Sequence, residues 1–209
     1  MPKAQAVARF ATQANPYLRA EYTVMSAGNT VTPRPDLLDS ATHLTDLFRN
    51  ADLVIDATAD PSVQQYTSEV ARETKTTWVC ADATPGIGGG TVVKVDAESD
   101  ACYACFLWRQ WLSKDDPEHI PSAPTCADPG VQPVGCGERT FTGSGFDLEV
   151  VSVQAARVAV AALLAHLEGG YPSDGMDVHL LTLRDPEGHP VPPVWQGLVL
   201  TRYAACTNH

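Results

Sequence analysis

Two pairs of metal-binding residue types stand far apart in this chain. Cys102-Tyr-Ala-Cys105 is a Cys-x2-Cys turn, and Cys206-Thr-Asn-His209 is a Cys-x2-His turn roughly a hundred residues later. Each spacing lets two ligands point at one ion. Together Cys102, Cys105, Cys206 and His209 are of the types that tetrahedral zinc prefers. On spacing alone, a structural zinc clamp holding the closing strands onto the long loop stands level with unrelated surface thiols. The first pair has a redox alternative, which requires the cysteines to open a helix after a thioredoxin-type strand; here they follow an acidic turn. Cys126, in Pro124-Thr-Cys-Ala-Asp-Pro-Gly-Val131, is a loop cysteine that could act as a nucleophile at a nucleotide crevice. Its plainer reading is a half-buried thiol. Cys80 and Cys136 have no evident partner.

The other stretch with chemistry in it is Ala51-Asp-Leu-Val-Ile-Asp-Ala-Thr-Ala-Asp60. Leu53 to Ile55 is a short apolar run bounded by Asp52 and Asp56, which predicts a fully buried strand of a parallel sheet. Ligands of open α/β sheets bind outside the carboxyl ends of the strands, so Asp56 and Asp60 lie where chemistry is expected. Pro61-Ser62 can open the following helix. Taken alone, the stretch reads as a solvated turn with Asp60 as the helix cap.

These residues need elements to hold them. Lys3 to Thr12 has helical spacing and ends at Asn15-Pro16, since a residue before proline is pushed out of the α region. Leu18 to Ser26 alternates and predicts a strand, and Ser40 to Arg49 a short helix. After the Asp52–Asp60 stretch come a helix over 61–74, a strand over 77–81, a Gly-rich loop from Pro85 and a strand over 91–95. That order is the second half of a doubly wound nucleotide-binding fold. Residues 96–147 read as a long Cys-rich loop. Leu148 to Leu167 reads as a long helix, apolar nearly all round and hence largely buried. Strands near 176–183 and 193–201, joined by Arg184-Asp-Pro-Glu-Gly, close the chain as a hairpin or extend the sheet.

Composition limits the partners. The 209 residues carry 44% hydrophobic and 19% charged side chains, ordinary for one soluble domain with a real core. A formal charge of -11 and a pI near 4.8 argue against nucleic acid or an anionic membrane surface. No apolar run reaches the length of a membrane span, and the N-terminus lacks the order of a signal peptide. Six cysteines are too few for a disulfide scaffold of this length, which points to a cytoplasmic address with thiols free or on metal.

In order, these motifs resemble the ThiF/MoeB-type adenylyltransferases of the ubiquitin-activating superfamily. The family's lysine-bearing helix ending in Asn-Pro is similar to Lys3 through Pro16, its "DLVIDATDN" strand end to Asp52 through Asp60, and its glycine loop and strand to Pro85 through Val95. The "CYRC" half-site resembles Cys102 to Cys105, and the cysteine-bearing crossover loop resembles Cys126 to Val131; a small-residue helix and a second zinc half-site follow. The resemblance implies a Rossmann-like α/β domain over 1–209 with a mostly parallel sheet and helices on both faces. It divides into a nucleotide-fold half (1–95), a crossover region (96–147), and a long helix with zinc-stapled closing strands (148–209). The family's first strand and G-x-G-x-x-G phosphate loop would precede Lys3, so the resemblance also implies a truncated gene model, a late start or one half of a split protein.

The implied reaction is ATP- and Mg2+-dependent adenylation of the C-terminal carboxylate of a ubiquitin-like or sulfur-carrier protein, by a homodimer or heterodimer. Lys3 takes the phosphate-binding role. The family's metal carboxylate falls on Ala59, and the role moves to Asp60, one step late, with Asp56 as a strand-end residue. Cys126 would take the acyl group as thioester or persulfide, and Zn2+ would sit on Cys102, Cys105, Cys206 and His209. Competing readings are a non-catalytic, zinc-stapled partner of an intact adenylating subunit and, less well matched, an NAD-binding oxidoreductase fragment.

Overall fold

The computed structural model describes residues 1–25, 40–126 and 144–208. His209 and Cys136 lie outside them. The chain forms two compact units, Met1–Asp46 and Leu47–His209.

In the first unit, α1 (Lys3–Ala14) ends where expected, with Asn15 in extended conformation and its N–H returning to Ala11 O. No α1 side chain is buried. The strand expected from Leu18 is not formed: residues 18–25 have no ladder partner among the described residues. Alternation supplies a face, but a strand also needs a neighbour to take its backbone hydrogen bonds. Helix α2 (Ser40–Arg49) lies where the sequence predicts it.

The second unit is built on a five-stranded sheet in the order β1 (Leu53–Asp56), β2 (Thr77–Ala83), β3 (Gly89–Val95), β4 (Val178–Arg184), β5 (Pro190–Leu198). The expectation of a mostly parallel sheet is corrected here: β1 and β2 are parallel, but β2–β3, β3–β4 and β4–β5 are antiparallel. Parallel pairing needs a crossover, and α3 (Pro61–Thr74) supplies one between β1 and β2. A tight turn joins β2 to β3, and another joins β4 to β5, so both pairs must be antiparallel. β5 carries Pro190, Pro192 and Pro193, which an edge strand tolerates.

Alternation along β2 sends neighbouring side chains to opposite faces. Val79 joins Ile87, Val92, Leu181 and Leu183 beneath α5 (Gly145–Leu164), which contributes Val151, Ala155 and Val158. Trp78 faces the other way, onto Thr67 of α3 and edge-on to Tyr103 of α4 (Tyr103–Gln110), with ring centroids 5.0 Å apart. The unit is therefore α/β with helices on both faces.

Three further expectations are corrected. β1 is an edge strand among the described residues rather than a fully buried one, and Ile55 is 52% exposed. Residues 103–110, inside the stretch read as loop, form α4. Helix α5 starts at Gly145, capped by Ser144 Oγ accepting from Asp147 N–H, and it buries one face only. Among the described residues, no helix is long and apolar enough to cross a membrane.

Candidate functional site

Because β1 and β2 run parallel, their carboxyl ends share one edge of the sheet. Asp56 ends β1 and is 4% exposed. Its Oδ1 accepts from the Thr58 N–H (2.9 Å) and hydroxyl (2.6 Å), and its Oδ2 from Thr67 Oγ1 (2.5 Å). Thr67 in turn accepts from Trp78 Nε1 at 3.2 Å. A buried carboxylate is tolerated only with such partners, and here they tie the end of β1 to the face of α3. Four residues on, Asp60 is exposed and caps α3: its Oδ1 accepts from Ser62 N–H (2.9 Å) and Val63 N–H (3.2 Å), ahead of Pro61 at the first helical position. Ala59 makes the bend between them at φ +53°, a strained value for a residue with a Cβ.

Asp82, the next-to-last residue of the neighbouring strand, was not singled out from the sequence. Gln64 of α3, fully buried, donates its amide to both carboxylate oxygens (2.9 and 2.8 Å), and Tyr103 OH donates to Gln64 Oε1 at 3.0 Å. Burial pushes the Asp82 carboxyl above its ordinary value; the Gln64 amide pulls it down and the charge of Asp56 adds to the rise. A carboxylate inside Trp-Val-Cys-Ala-Asp-Ala, otherwise an apolar strand, was the available signal.

Cys126 is docked on the turn that leaves this edge. Its N–H donates to Pro85 O at 3.2 Å, while Thr84 Oγ1 donates to Pro124 O. The turn takes glycine for two reasons. Gly86 has φ +69°, and a Cβ there would lie 2.8 Å from Cys126 Cβ; at Gly88 it would lie 2.5 Å from Pro124 O. These glycines are filled by the protein's own chain, so they serve the approach of residues 124–126 rather than a phosphate. Cys126 is half-buried. Lys3 is the first residue of α1, in the other unit, and is exposed.

The thiols form a separate centre. Cys102 is the N-cap of α4 and Cys105 lies in its first turn; Cys206 is brought in by the tail. All three are buried, with Cys102 Sγ 3.7 Å from both Cys105 Sγ and Cys206 Sγ. A tetrahedral ion with Zn–S bonds of about 2.3 Å has an S···S edge of about 3.8 Å, so the donor set and its spacing fit zinc. Burial pushes the Cys102 thiol up to about 12. Burial acts the same way on Cys105, but hydrogen bonds, led by the one from Tyr203 N–H (3.4 Å), bring it below its ordinary value. The tail is held besides by Arg109, whose guanidinium donates to Thr201 Oγ1 (2.7 Å) and Arg202 O (3.3 Å), and by Asn208, which donates to Glu69 at 3.0 Å. The pair does open a helix, the geometry a redox couple wants, but a third thiol at the same separation matches a metal's needs better. His209 lies outside the described residues.

Residues 1–184 match the model of the ThiF family. The chain belongs to the ThiF family. It is 32% identical over 174 residues to the uncharacterized protein y4qC of Sinorhizobium fredii, covering 82% of this chain and 29% of that protein. Against the uncharacterized protein y4oA of the same organism the identity is 29% over 162 residues, covering 77% and 26%. The chain thus spans less than a third of either relative.

The ThiF family acts on ubiquitin-like or sulfur-carrier proteins in an adenylyltransferase-like role, and its enzymes bind ATP and Mg2+. The match includes Lys3, Asp56, Asp60, Cys102, Cys105 and Cys126, and ends before Cys206. Within the second unit the fold gathers Asp56, Asp60, Asp82 and the Cys126 turn toward the carboxyl ends of β1 and β2, and sets the three thiols apart on α4 and the tail.

Proposed function

We propose that this ThiF-family chain takes part in adenylating the C-terminal carboxylate of a ubiquitin-like or sulfur-carrier protein. The supporting observation is the common edge: Asp56, Asp82 and the docked Cys126 stand at the carboxyl ends of two parallel strands, where α/β sheets bind nucleotides. In the reaction a carboxylate oxygen bonds to the α-phosphorus of ATP and pyrophosphate leaves, so the site must hold and screen phosphate charge. In the family a helix lysine offsets phosphate charge, the role that Lys3 takes by resemblance. Asp60 keeps Oδ2 for Mg2+ while Oδ1 caps α3, and the bound ion would neutralise phosphate charge through one or two such carboxylates. Asp56, occupied by Thr58 and Thr67, holds the strand end in place. Cys126 then attacks the acyl carbon as thiolate: a C–S bond forms, the acyl–phosphate bond breaks, AMP leaves, and the thiol proton passes to solvent. Cys102, Cys105 and Cys206 would hold Zn2+ as a clasp for the tail, and the sequence offers His209 as a fourth donor. Reduced thiols suit a cytoplasmic setting.

ATP–pyrophosphate exchange in the presence of a carrier protein tests this. Two variants separate the roles of Asp60. Asp60→Ala loses exchange and about 1 kcal/mol of stability, whereas Asp60→Asn keeps the cap and still loses exchange. Full exchange in Asp60→Asn overturns the metal role. A second reading, a non-catalytic partner of an intact adenylating subunit, is favoured by one observation: the Gly86–Gly90 turn is filled by Pro124, Cys126 and neighbouring strands, leaving no phosphate cradle there. Exchange that appears only when an intact family member is added would establish that reading.

A further inference from the structure

A buried hydrogen-bond path joins the helix that carries the thiols to the sheet edge. Tyr103 stands between Cys102 and Cys105 in the first turn of α4 and is 3% exposed. Its hydroxyl donates to Gln64 Oε1 (3.0 Å), and Gln64, fully buried in α3, donates Nε2 to Asp82 Oδ1 and Oδ2 (2.9 and 2.8 Å). The order of these bonds follows from their chemistry. An ionised carboxylate only accepts, so the amide nitrogen must face Asp82 and the amide oxygen Tyr103, which leaves the hydroxyl to donate. Every donor on the path then points toward the carboxylate. Aligned hydrogen bonds polarise one another, so the phenol strengthens a bond it does not touch.

The carboxylate at the end of the path has little else to hold its charge. Trp78, Cys80 and Asp82 alternate onto the α3–α4 face of the sheet, away from α5. The titratable groups around Asp82 there are Asp56, which ends β1 opposite Cys80, Cys80 itself, and Tyr103. None is a cation, and among the described residues Asp82 has no ion-pair partner. Burial and the Asp56 charge both favour its protonated form, and the Gln64 amide opposes them. Asp56 by comparison is spent, with three donors on its two oxygens. Asp82 takes one bond on each oxygen from a single amide and, half-buried, keeps acceptor capacity.

We propose that Tyr103 and Gln64 are positioning residues that hold Asp82 as an oriented anion, whose remaining lone pairs accept from the substrate at the carboxyl ends of β1 and β2. The substrate contact rests on the adenylation reading; the hold on Asp82 does not. Titration of the Asp82 side-chain carboxyl by carbon NMR, with zinc supplied throughout, tests the hold. Tyr103→Phe removes one oxygen and keeps the ring between Trp78 and Phe106; it should raise the proton affinity of Asp82 about threefold with unchanged far-UV circular dichroism. Gln64→Met, close in shape but without the amide, should raise it about tenfold or more. In a Gln64→Met background, Tyr103→Phe should add nothing. An unmoved titration in either single variant overturns the hold, and a Tyr103→Phe effect that survives in Gln64→Met overturns the route through the amide. ATP–pyrophosphate exchange reads the contact: Asp82→Asn should lower it about 100-fold, and the acid limb of the Tyr103→Phe pH profile should move to higher pH by the same factor of about three. Exchange that persists in Asp82→Asn overturns the contact alone. Exchange absent from the wild type overturns the adenylation reading and the contact with it, while the titration still decides the hold.

Discussion

The oxygen donors at the sheet edge and the sulfur donors on α4 are held in opposite ways. At the edge, the buried Asp56 and the half-buried Asp82 carboxylates already have protein partners: Thr58 and Thr67 on Asp56, Gln64 on Asp82. At the clasp, three buried thiols converge, with Cys102 Sγ 3.7 Å from both Cys105 Sγ and Cys206 Sγ. The edge is organised by hydrogen bonds and can stand without a ligand. The thiols are brought together by chain return, and their number and spacing suit a cation. The comparison predicts that a metal stabilises the clasp strongly and that the edge keeps its shape whether or not a nucleotide is bound.

Removing the clasp metal should have the largest effect. We expect about one zinc per chain, and on the order of 4 kcal/mol of stability lost on chelation or in Cys206→Ser. Metal analysis by mass spectrometry, with urea unfolding before and after chelator, checks both; a chain equally stable without metal would put the clasp in the same class as the edge. Next comes the edge itself. Asp56→Ala strands the buried Thr67 donor and takes away the partner of the exposed Thr58, and should cost about 2 kcal/mol by urea unfolding. A loss below about 1 kcal/mol would mean that these hydrogen bonds do not organise the strand end.

The smallest effect is a pH dependence. The Asp82 carboxyl is raised in the folded state, so the folded protein holds that proton more tightly than the unfolded chain does. The stabilisation this provides is complete below the ordinary carboxylate value near 4 and is lost as pH rises through the raised folded value. Relative to Asp82→Asn, the wild type should therefore weaken as pH climbs from about 4 toward neutrality. A difference that stays flat with pH would show that Gln64 fully offsets the burial of the carboxylate.

Much of the site's local frame was legible. Asp60 before Pro61-Ser62 predicted a helix start because capping depends on adjacent residues alone, and its carboxylate does cap α3. Asn15-Pro16 ended α1, and Arg184-Asp-Pro-Glu-Gly turned β4 into β5, for the same reason. Helix α4 escaped notice because eight residues of mixed aromatic and polar character show no clear period, and its stability comes from Trp78 and Phe106 packing around Tyr103. The α5 pattern was read as burial all round. Periodicity identifies apolar faces but not which of them the same chain covers.

The sequence by itself determined the family order of motifs, the ends of helices, the turns and the types of donor, since each depends on residues close along the chain. Only the tertiary structure decided that β1 lies at an edge among the described residues, that Asp82 joins Asp56 at the carboxyl ends, and that Cys206 meets Cys102 across 104 residues. Those are matters of strand order and chain return, set by packing energies summed over the whole sheet.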